Sequence, residues 1–427
     1  MNRKIIFRHG SRCDEPLQDI GKLIQEIRFS QQKLRSFPIE SLVSFFDQLA
    51  LVWANDRILA QQAGGSLKHL GYFMKRENIV PMLQFAFRGN YKALDSFQDF
   101  GNGKYQYKCQ PRGLAVHWLA GNVGVLGIYS VVLALLTKNV SILKASSHSY
   151  QELILLLESF FAVQTQDIKG SDLLDALCVV LVDASDIEAH TALSASADIR
   201  IAWGGEEAVS AIMGLKKNIF AEDIIFGPKY SYALVDRESA KDCAHICRRL
   251  AFDVSTFDQY ACSSPHTVFV ESGGGVDPLA FAEDLARALE MVDKKFLPKQ
   301  TTSLEKKMEI LTLRAKYAMT GKVLGDQQGN WTVIYTDEPG FAPPCFSRVV
   351  FVKPISSIKT LGGQNTRKIQ TIGIAMEKEE RFDVLDEITQ SGGDRCVQLG
   401  DMTLYESPWD GFFPTEKMVR WVSAFKK

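Results

Sequence analysis

The chain lacks the charge imbalance that attracts polyanions. Its 427 residues include 49 Lys+Arg and 50 Asp+Glu, which gives a formal net charge of -1. Proteins that bind nucleic acids or anionic membranes usually carry an excess of basic side chains. We therefore expect no nucleic-acid partner, and an anionic small ligand would have to be bound by local positive groups.

Long hydrophobic runs are also missing. The longest nearly apolar stretch, VGVLGIYSVVLALL, covers only residues 123–136, whereas a helix that crosses a bilayer needs about 20 residues. The first residues, MNRKIIFRHGSRCDEP, have no apolar core of the signal-peptide type. These absences predict a buried helix at 123–136, no membrane span and a cytoplasmic protein.

The eight cysteines are scattered and show no disulfide framework, which favours reduced thiols. Cys243-x-His245-x-Cys247 resembles a pair of metal ligands in its spacing. The surrounding KDCAHICRRL is helical in character, however, so residues 243 and 247 share a face while His245 points elsewhere. We predict no metal site. A Walker lysine-serine pattern is missing too, so ATP hydrolysis is not expected.

The middle of the chain alternates strand-like and helix-like segments. The candidate strands are residues 114–120 (LAVHWLA), 140–146 (VSILKAS), 176–183 (ALCVVLVD) and 198–203 (DIRIAW). This alternation predicts a parallel sheet with helices on both faces, in which ligands bind beyond the carboxyl ends of the strands.

The same pattern predicts four regions. The first is mostly helical and ends in a short hairpin, the second is Rossmann-like, the third contains Cys262, and the fourth is a tail that packs on the body or on a partner subunit. Their predicted bounds are 1–111, 112–236, 237–400 and 401–427.

Polar and glycine residues follow three of these strands. Asn122 lies within a G-x-x-G-x-x-G stretch, which is not the usual dinucleotide fingerprint. Its amide could cap the next helix or donate to a bound oxygen, and spacing alone favours the cap. Lys144 ends a strand either as a solvated side chain or as a group that meets ribose or phosphate. The other candidate cofactor-binding residues are Ser146 and Ser147, beside Lys144, and Gly204, Gly205 and Glu206, which follow the strand 198–203.

Cys262 has surroundings unlike those of the other cysteines. It lies in FDQYACSSPH (257–266), where serines and a proline favour an irregular loop with available backbone N–H groups. Such groups stabilise a thiolate or an oxyanion, although a buried packing cysteine is the alternative. No local signature selects a histidine partner from His117, His148, His190, His245 and His266.

Five segments together resemble the aldehyde dehydrogenase superfamily, and within it the LuxC-type acyl-CoA reductases of bacterial luminescence. They are HWLAGNVGVLG (117–127), SILKASS (141–147), DIRIAWGGEEAV (198–209), FGPKYSYALVD (226–236) and DQYACSSPH (258–266). The similarity covers roughly residues 105–275, and WDG (409–411) adds to it. It implies an aldehyde dehydrogenase-like α/β fold, with a Rossmann-like cofactor domain, an α/β domain carrying the thiol, and a small oligomerisation or tail element.

The resemblance also implies residue roles. Cys262 matches the catalytic thiol in a Q-x-x-C pattern, and Asn122 matches the asparagine whose amide joins the cysteine N–H in the oxyanion hole. This reverses the preference for a helix cap. Lys144 matches the lysine at the adenosine ribose. The segment 204–206 falls beside the nicotinamide-side phosphates, and Glu338 in DEPGF either holds the nicotinamide ribose or is a surface turn acid.

Two departures from the superfamily pattern affect the expected reaction. Ile225 stands where hydrolytic members carry a water-activating glutamate, so an acyl-enzyme should react poorly with water. Ser147 stands where many NAD-specific members carry a glutamate that pairs with the ribose 2′-hydroxyl. Without that carboxylate a 2′-phosphate is not repelled, which favours NADPH, with NADH as the other option.

The resemblance thus implies an NADPH-dependent reductase that converts a fatty acyl-CoA or acyl-carrier thioester into an aldehyde through an acyl-cysteine. An acyl-activating synthetase and further copies of the chain are the implied partners. Two alternatives remain: a non-reducing acyl-transfer protein that uses the same cysteine, and a cysteine hydrolase of unrelated fold.

Overall fold

The structure is a computed structural model that describes residues 3–59, 66–101, 103–121, 125–299, 302–377 and 381–426. The chain forms two compact units. Unit 1 comprises Met1–Gly227 and Tyr405–Lys427, and unit 2 comprises Pro228–Leu404. The four regions expected from the sequence remain predictions.

Unit 1 contains a seven-stranded sheet with the order β2-β1-β7-β6-β5-β8-β9. Strands β5 to β8 are almost wholly buried, as expected for parallel strands covered on both faces. They confirm the four strands predicted from the sequence. The strands of this sheet are β1 (Arg3–Arg8), β2 (Ser11–Pro16), β5 (Leu114–Trp118), β6 (Val140–Ala145), β7 (Leu177–Val182), β8 (Ile199–Trp203) and β9 (Glu222–Phe226).

The described part of the first hundred residues is mostly helical, as predicted, but it begins with the β1–β2 hairpin, which was not predicted. β1 pairs antiparallel with β7, and β2 forms the polar edge of the sheet. His9 and Gly10 connect them with φ angles of 50° and 71°, and positive φ at both central residues is the requirement of a tight hairpin turn.

Helices cover this sheet. The apolar stretch of the sequence forms α6, in which nearly every side chain is buried, as predicted. The helices of unit 1 are α1 (Ile20–Phe29), α2 (Gln31–Ser36), α3 (Ile39–Asn55), α4 (Ser66–Met74), α5 (Arg76–Ala86), α6 (Val125–Leu136), α7 (Tyr150–Glu158), α8 (Gly170–Leu174), α9 (Ile187–Ser196), α10 (Glu206–Met213) and α15 (Pro414–Lys417).

A second, antiparallel sheet in unit 1 has the order β17-β4-β3. Its strands are β3 (Gln98–Asp99), β4 (Tyr105–Pro111) and β17 (Val419–Phe425). β17 pairs with β4 along its whole length, from Val419 opposite Pro111 to Phe425 opposite Tyr105. Strand β4 comes from KYQYKCQP (104–111), a segment whose residues alternate in a strand-like way.

Unit 2 contains another seven-stranded sheet, with the order β12-β13-β14-β11-β10-β15-β16. Only the β12–β13 pair is antiparallel. The strands are β10 (Tyr230–Val235), β11 (Pro265–Glu271), β12 (Lys322–Gly325), β13 (Thr332–Tyr335), β14 (Val349–Ile355), β15 (Ile369–Ala375) and β16 (Arg395–Gln398). The helices are α11 (Cys243–Ser255), α12 (Pro278–Lys295), α13 (Leu304–Tyr317) and α14 (Arg381–Thr389).

Within the described ranges, no single helix is long and apolar enough to cross a membrane. One helix pair, Ile20–Ser36 with Ile39–Asn55, passes the length and composition test jointly, but it is bent by 101°.

Candidate active site

Cys262 lies in unit 2, in the short connection between the 3₁₀ turn Thr256–Gln259 and strand β11. Its side chain is half-buried, whereas the two serines that follow it are buried. Cys262 is therefore not sealed inside the unit, whereas the segment behind it is packed into it.

The backbone ahead of Cys262 has an unusual conformation. Phe257, Asp258 and Gln259 have φ angles of 55°, 48° and 67°. Non-glycine residues rarely adopt positive φ, and each one costs on the order of 1–3 kcal/mol unless its surroundings impose it. This segment must therefore be held by its neighbours.

Gln259 supplies part of that restraint. The side chain is completely buried, and its Nε2 donates to the carbonyls of Pro265 and Val349 at 2.8 and 2.9 Å. Its Oε1 accepts from the N–H of Val349 at 2.8 Å. The amide thus links the segment before Cys262 to the start of β11 and to β14.

Arg348 supplies a second restraint. It is 2% exposed, its Nε donates to Asp258 Oδ1 at 2.7 Å, and its Nη1 donates to Asp293 Oδ1 at 3.0 Å. Arg348 itself ends another left-handed run, in which Phe346, Ser347 and Arg348 have φ angles of 58°, 57° and 61°. The two left-handed segments are therefore joined by an ion pair between a buried guanidinium and a half-buried carboxylate.

Ser231 on β10 fixes the backbone of Cys262 itself. Its hydroxyl donates to the Cys262 carbonyl at 2.8 Å and accepts from the Thr371 N–H at 3.0 Å. Because Thr371 lies on β15, this hydroxyl fixes the cysteine backbone relative to two strands of the sheet, β10 and β15.

Aromatic side chains pack around the same loop. Phe346 stacks on Tyr260 with ring centroids 5.5 Å apart, and His266 meets Phe346 edge-on at 5.1 Å. His266 is the extra residue of a β-bulge, because Ser231 opposes Pro265 while Tyr232 opposes Thr267. Burial lowers the pKa of His266 to about 4, so this imidazole is neutral at pH 7.

Glu338 is also in unit 2, in the connection between β13 and β14. Its Oε2 accepts from the Tyr317 hydroxyl at 2.9 Å, and its carbonyl accepts from Lys353 Nζ at 2.9 Å. Lys353 is only 3% exposed. Glu338 is therefore held in a defined position, while its assignment to the nicotinamide ribose stays a prediction.

In unit 1, Lys144 is at the carboxyl end of β6 and is half-buried. Burial lowers the pKa of its ammonium, and the Asp183 carboxylate opposes that effect. No acceptor in the described ranges is hydrogen-bonded to Lys144 Nζ. A Cβ placed on Gly121 would lie 3.0 Å from Ser146 Oγ, so glycine at 121 allows two strand-end loops to approach closely. Asn122 lies outside the described residues.

Gly204 and Gly205 connect β8 to α10, as predicted, with Gly205 as the N-cap and Glu206 as the first helical residue. A Cβ on Gly205 would meet no atom within 4 Å, so space is open beside the helix N-terminus. A half-buried ammonium and an open helix N-terminus suit the ribose and phosphates of a nicotinamide dinucleotide. The residues of unit 1 therefore fit such a cofactor.

The Cys243–Cys247 pair behaves as its spacing predicts. Both sulfurs lie on the buried face of α11, 3.6 Å apart, and His245 is exposed. In the part of the chain that the structure describes, no group of three or more His, Cys, Asp and Glu side chains is arranged to hold a metal ion.

Comparison with known proteins identifies the family. The profile of the family described as acyl-CoA reductase (LuxC) matches residues 34–421. The chain belongs to this family. A long-chain acyl-protein thioester reductase from Aliivibrio fischeri is 30% identical over 75% of this chain and 66% of its own length. One from Vibrio harveyi is 26% identical over 91% of this chain and 83% of its own length. The chain thus spans just under two thirds of the Aliivibrio relative.

Solved structures confirm the fold. An indole-3-acetaldehyde dehydrogenase in complex with NAD⁺ superposes with a TM-score of 0.71 and 14% identity, over 99% of this chain and 93% of that one. The chain therefore has the aldehyde dehydrogenase fold that the sequence resemblance implied.

Several residues that organise the cysteine segment were not predicted from the sequence. Ser231 lies in the segment FGPKYSYALVD, but no pattern there marks it as a partner of Cys262, and Arg348 lies far from Cys262 in sequence. The one sequence signal is an arginine directly before the apolar strand β14, where a buried cation needs a carboxylate partner. Asp258, four residues before Cys262, is that partner.

Proposed function

We propose that this acyl-CoA reductase converts a long-chain acyl thioester, carried by CoA or by a carrier protein, into the fatty aldehyde with NADPH as reductant. NADH is the alternative cofactor. The observation that carries the proposal is the half-buried Cys262, which directly follows a restrained, left-handed segment in a member of this family. The family description and the relatives' names support thioester reduction.

The first half-reaction acylates the cysteine. The Cys262 thiolate attacks the thioester carbonyl carbon, a new C–S bond forms, and the carrier's C–S bond breaks as its thiolate departs and takes a proton from solvent. In the proposal, the Asn122 amide and the Cys262 N–H donate to the carbonyl oxygen while it carries negative charge. A single donor of this kind typically contributes about 3 kcal/mol to the barrier.

The second half-reaction releases the aldehyde. Bound NADPH supplies a hydride to the acyl carbon. The oxygen of the resulting thiohemiacetal then re-forms the carbonyl, the bond from carbon to Cys262 Sγ breaks, and Cys262 returns as a thiolate. In the proposal, Lys144 binds the adenosine ribose, Ser146 and Ser147 adjoin it, residues 204–206 adjoin the phosphates, and Glu338 binds the nicotinamide ribose.

Two further features support the finer assignment. Ile225, on β9 and 38% exposed, cannot activate water, so the acyl-enzyme persists until it is reduced. Ser147 is exposed at the end of β6 and carries no charge, so it does not repel a 2′-phosphate. An acyl-activating synthetase and a homo-oligomeric state belong to the same proposal.

Intact-protein mass spectrometry tests both half-reactions. With a long-chain acyl-CoA and no reductant, we expect one acyl adduct on Cys262, and NADPH should convert that adduct stoichiometrically into aldehyde. Cys262→Ala should abolish the adduct, whereas Cys345→Ala, which removes a buried thiol of the same unit, should retain it. Wild-type aldehyde formation by Cys262→Ala would disprove the mechanism. A stable adduct that NADPH does not reduce would point instead to acyl transfer.

A further inference from the structure

We propose that Asp183 is a residue that limits the preference of this enzyme for NADPH over NADH, because its carboxylate acts on the same site as Lys144. The inference rests on the proposed function, since it concerns the adenosine end of the proposed cofactor. It assigns part of the discrimination between NADPH and NADH to a residue outside the strand-end segment 144–147.

The strand register brings Asp183 to this site. β6 and β7 pair in parallel, with Lys144 opposite Val180 and Ala145 opposite Leu181. β6 ends at Ala145 and β7 ends at Val182, so Asp183 follows β7 at the same edge of the sheet as Lys144. A carboxylate is therefore supplied at this edge from the adjacent strand.

Hydrogen bonds hold the Asp183 backbone in this position. Trp118 on β5 donates its indole N–H to His190 Nδ1 at 3.0 Å, and His190 Nε2 is 3.1 Å from the Asp183 carbonyl. Because Nδ1 accepts, the ring proton lies on Nε2 and is donated to that carbonyl. Burial lowers the pKa of His190, and the nearby Lys144 ammonium lowers it further. A neutral His190 therefore ties together the ends of β5 and β7 beside Lys144.

The Asp183 side chain is oriented too. The N–H and hydroxyl of Ser185 both donate to Asp183 Oδ1, at 2.9 and 2.7 Å. Among the described residues, none donates to the second carboxylate oxygen. That oxygen is available as an acceptor for a ribose hydroxyl.

The charges explain the discrimination. The hydrogen bonds from Ser185 lower the pKa of the Asp183 carboxyl, and the Lys144 ammonium lowers it further. A ribose 2′-hydroxyl can donate to the carboxylate and accept from the ammonium. A 2′-phosphate gains the attraction of Lys144 but meets the repulsion of Asp183, and like charges a few ångströms apart oppose binding strongly. Asp183 therefore offsets part of the advantage that Ser147 gives to NADPH.

Calorimetric binding of 5′-ADP and 2′,5′-ADP to the intact protein tests this inference without relying on turnover. Asp183→Asn keeps the size of the side chain and removes its charge. At low ionic strength it should tighten 2′,5′-ADP about tenfold and change 5′-ADP by less than about threefold. Glu188→Gln removes one exposed charge from the same segment and should leave both affinities unchanged.

The outcomes separate the two proposals. The role proposed for Asp183 is wrong if the wild-type protein binds both nucleotides and Asp183→Asn leaves the ratio of the two affinities unchanged. It is also wrong if Glu188→Gln changes that ratio as much as Asp183→Asn does. If the wild-type protein binds neither nucleotide, the proposed cofactor site itself is wrong. Thermal unfolding of each variant checks that the fold is intact.

Discussion

Gln259 shows how one buried side chain restrains the residues around the thiol. Its amide makes two hydrogen bonds with the backbone of Val349 and one with the carbonyl of Pro265. Val349 is distant from Gln259 in the chain, and Pro265 lies on the other side of Cys262. A backbone group left unpaired in the interior costs about 1–3 kcal/mol. The amide therefore stabilises the left-handed segment and aligns the loop that presents the sulfur.

We expect Gln259→Ala to lower the free energy of unfolding by about 3 kcal/mol, because it leaves buried backbone groups of Val349 and Pro265 without partners. It should also slow acylation of Cys262, since the loop loses its attachment to β14. Urea unfolding measures the first effect, and the rate of adduct formation measures the second. Gln328→Ala, at an exposed position, should change neither; equal losses in both variants would contradict this role.

At the scale of elements, the cysteine loop is coupled to the segment that precedes β14. Arg348 joins the two left-handed runs, and Lys299 Nζ donates to the Ser347 carbonyl at 2.8 Å and to the Gly329 carbonyl at 3.2 Å. Burial lowers the pKa of Lys299 to about 8. Below that pH the fold must accommodate a poorly hydrated ammonium.

This lowered pKa predicts a specific pH dependence of stability. Between about pH 8 and the usual lysine pKa near 10.4, Lys299 binds more protons in the unfolded chain than in the folded one, so its contribution to stability rises with pH. The slope should be at most about 1.4 kcal/mol per pH unit. Lys299→Met should lose that slope in urea unfolding measured from pH 8 to 10.5. Identical slopes in the two proteins would show that the ammonium is not destabilised by folding.

The sequence predicted those elements whose formation depends on local pattern. Strands β5 to β8 and helix α6 are predominantly apolar, and Gly204-Gly205 marks a strand–helix turn, so all were recognisable. Strand β2 was missed because SRCDEP is a polar edge strand without alternation. The left-handed runs at Phe257 and Phe346 contain no glycine, and it is the Arg348–Asp258 ion pair, between residues 90 positions apart, that supports them. No local pattern encodes such a contact.

At the scale of the whole molecule, each unit contains some of the residues to which the proposal gives a role. Unit 2 contains Cys262 and its restraints, and unit 1 contains Lys144, the Gly204-Gly205 turn and Ile225. Whether an acyl-cysteine is reduced or hydrolysed is therefore not decided by the thiol alone. In the proposal, the absence of a base at position 225 decides it.

Ile225→Glu tests directly whether the residue at position 225 decides between reduction and hydrolysis of the acyl-cysteine. The side chain is 38% exposed, so a carboxylate can be accommodated there without the cost of full burial. As a general base it should speed the reaction of water with the acyl-enzyme, by about a hundredfold if correctly placed. Mass spectrometry can follow loss of the acyl adduct in the absence of NADPH. Ile225→Gln has a similar size but cannot accept a proton, so it should keep the adduct as long as the wild-type enzyme does. If Ile225→Glu also keeps it, another feature protects the acyl-cysteine from water.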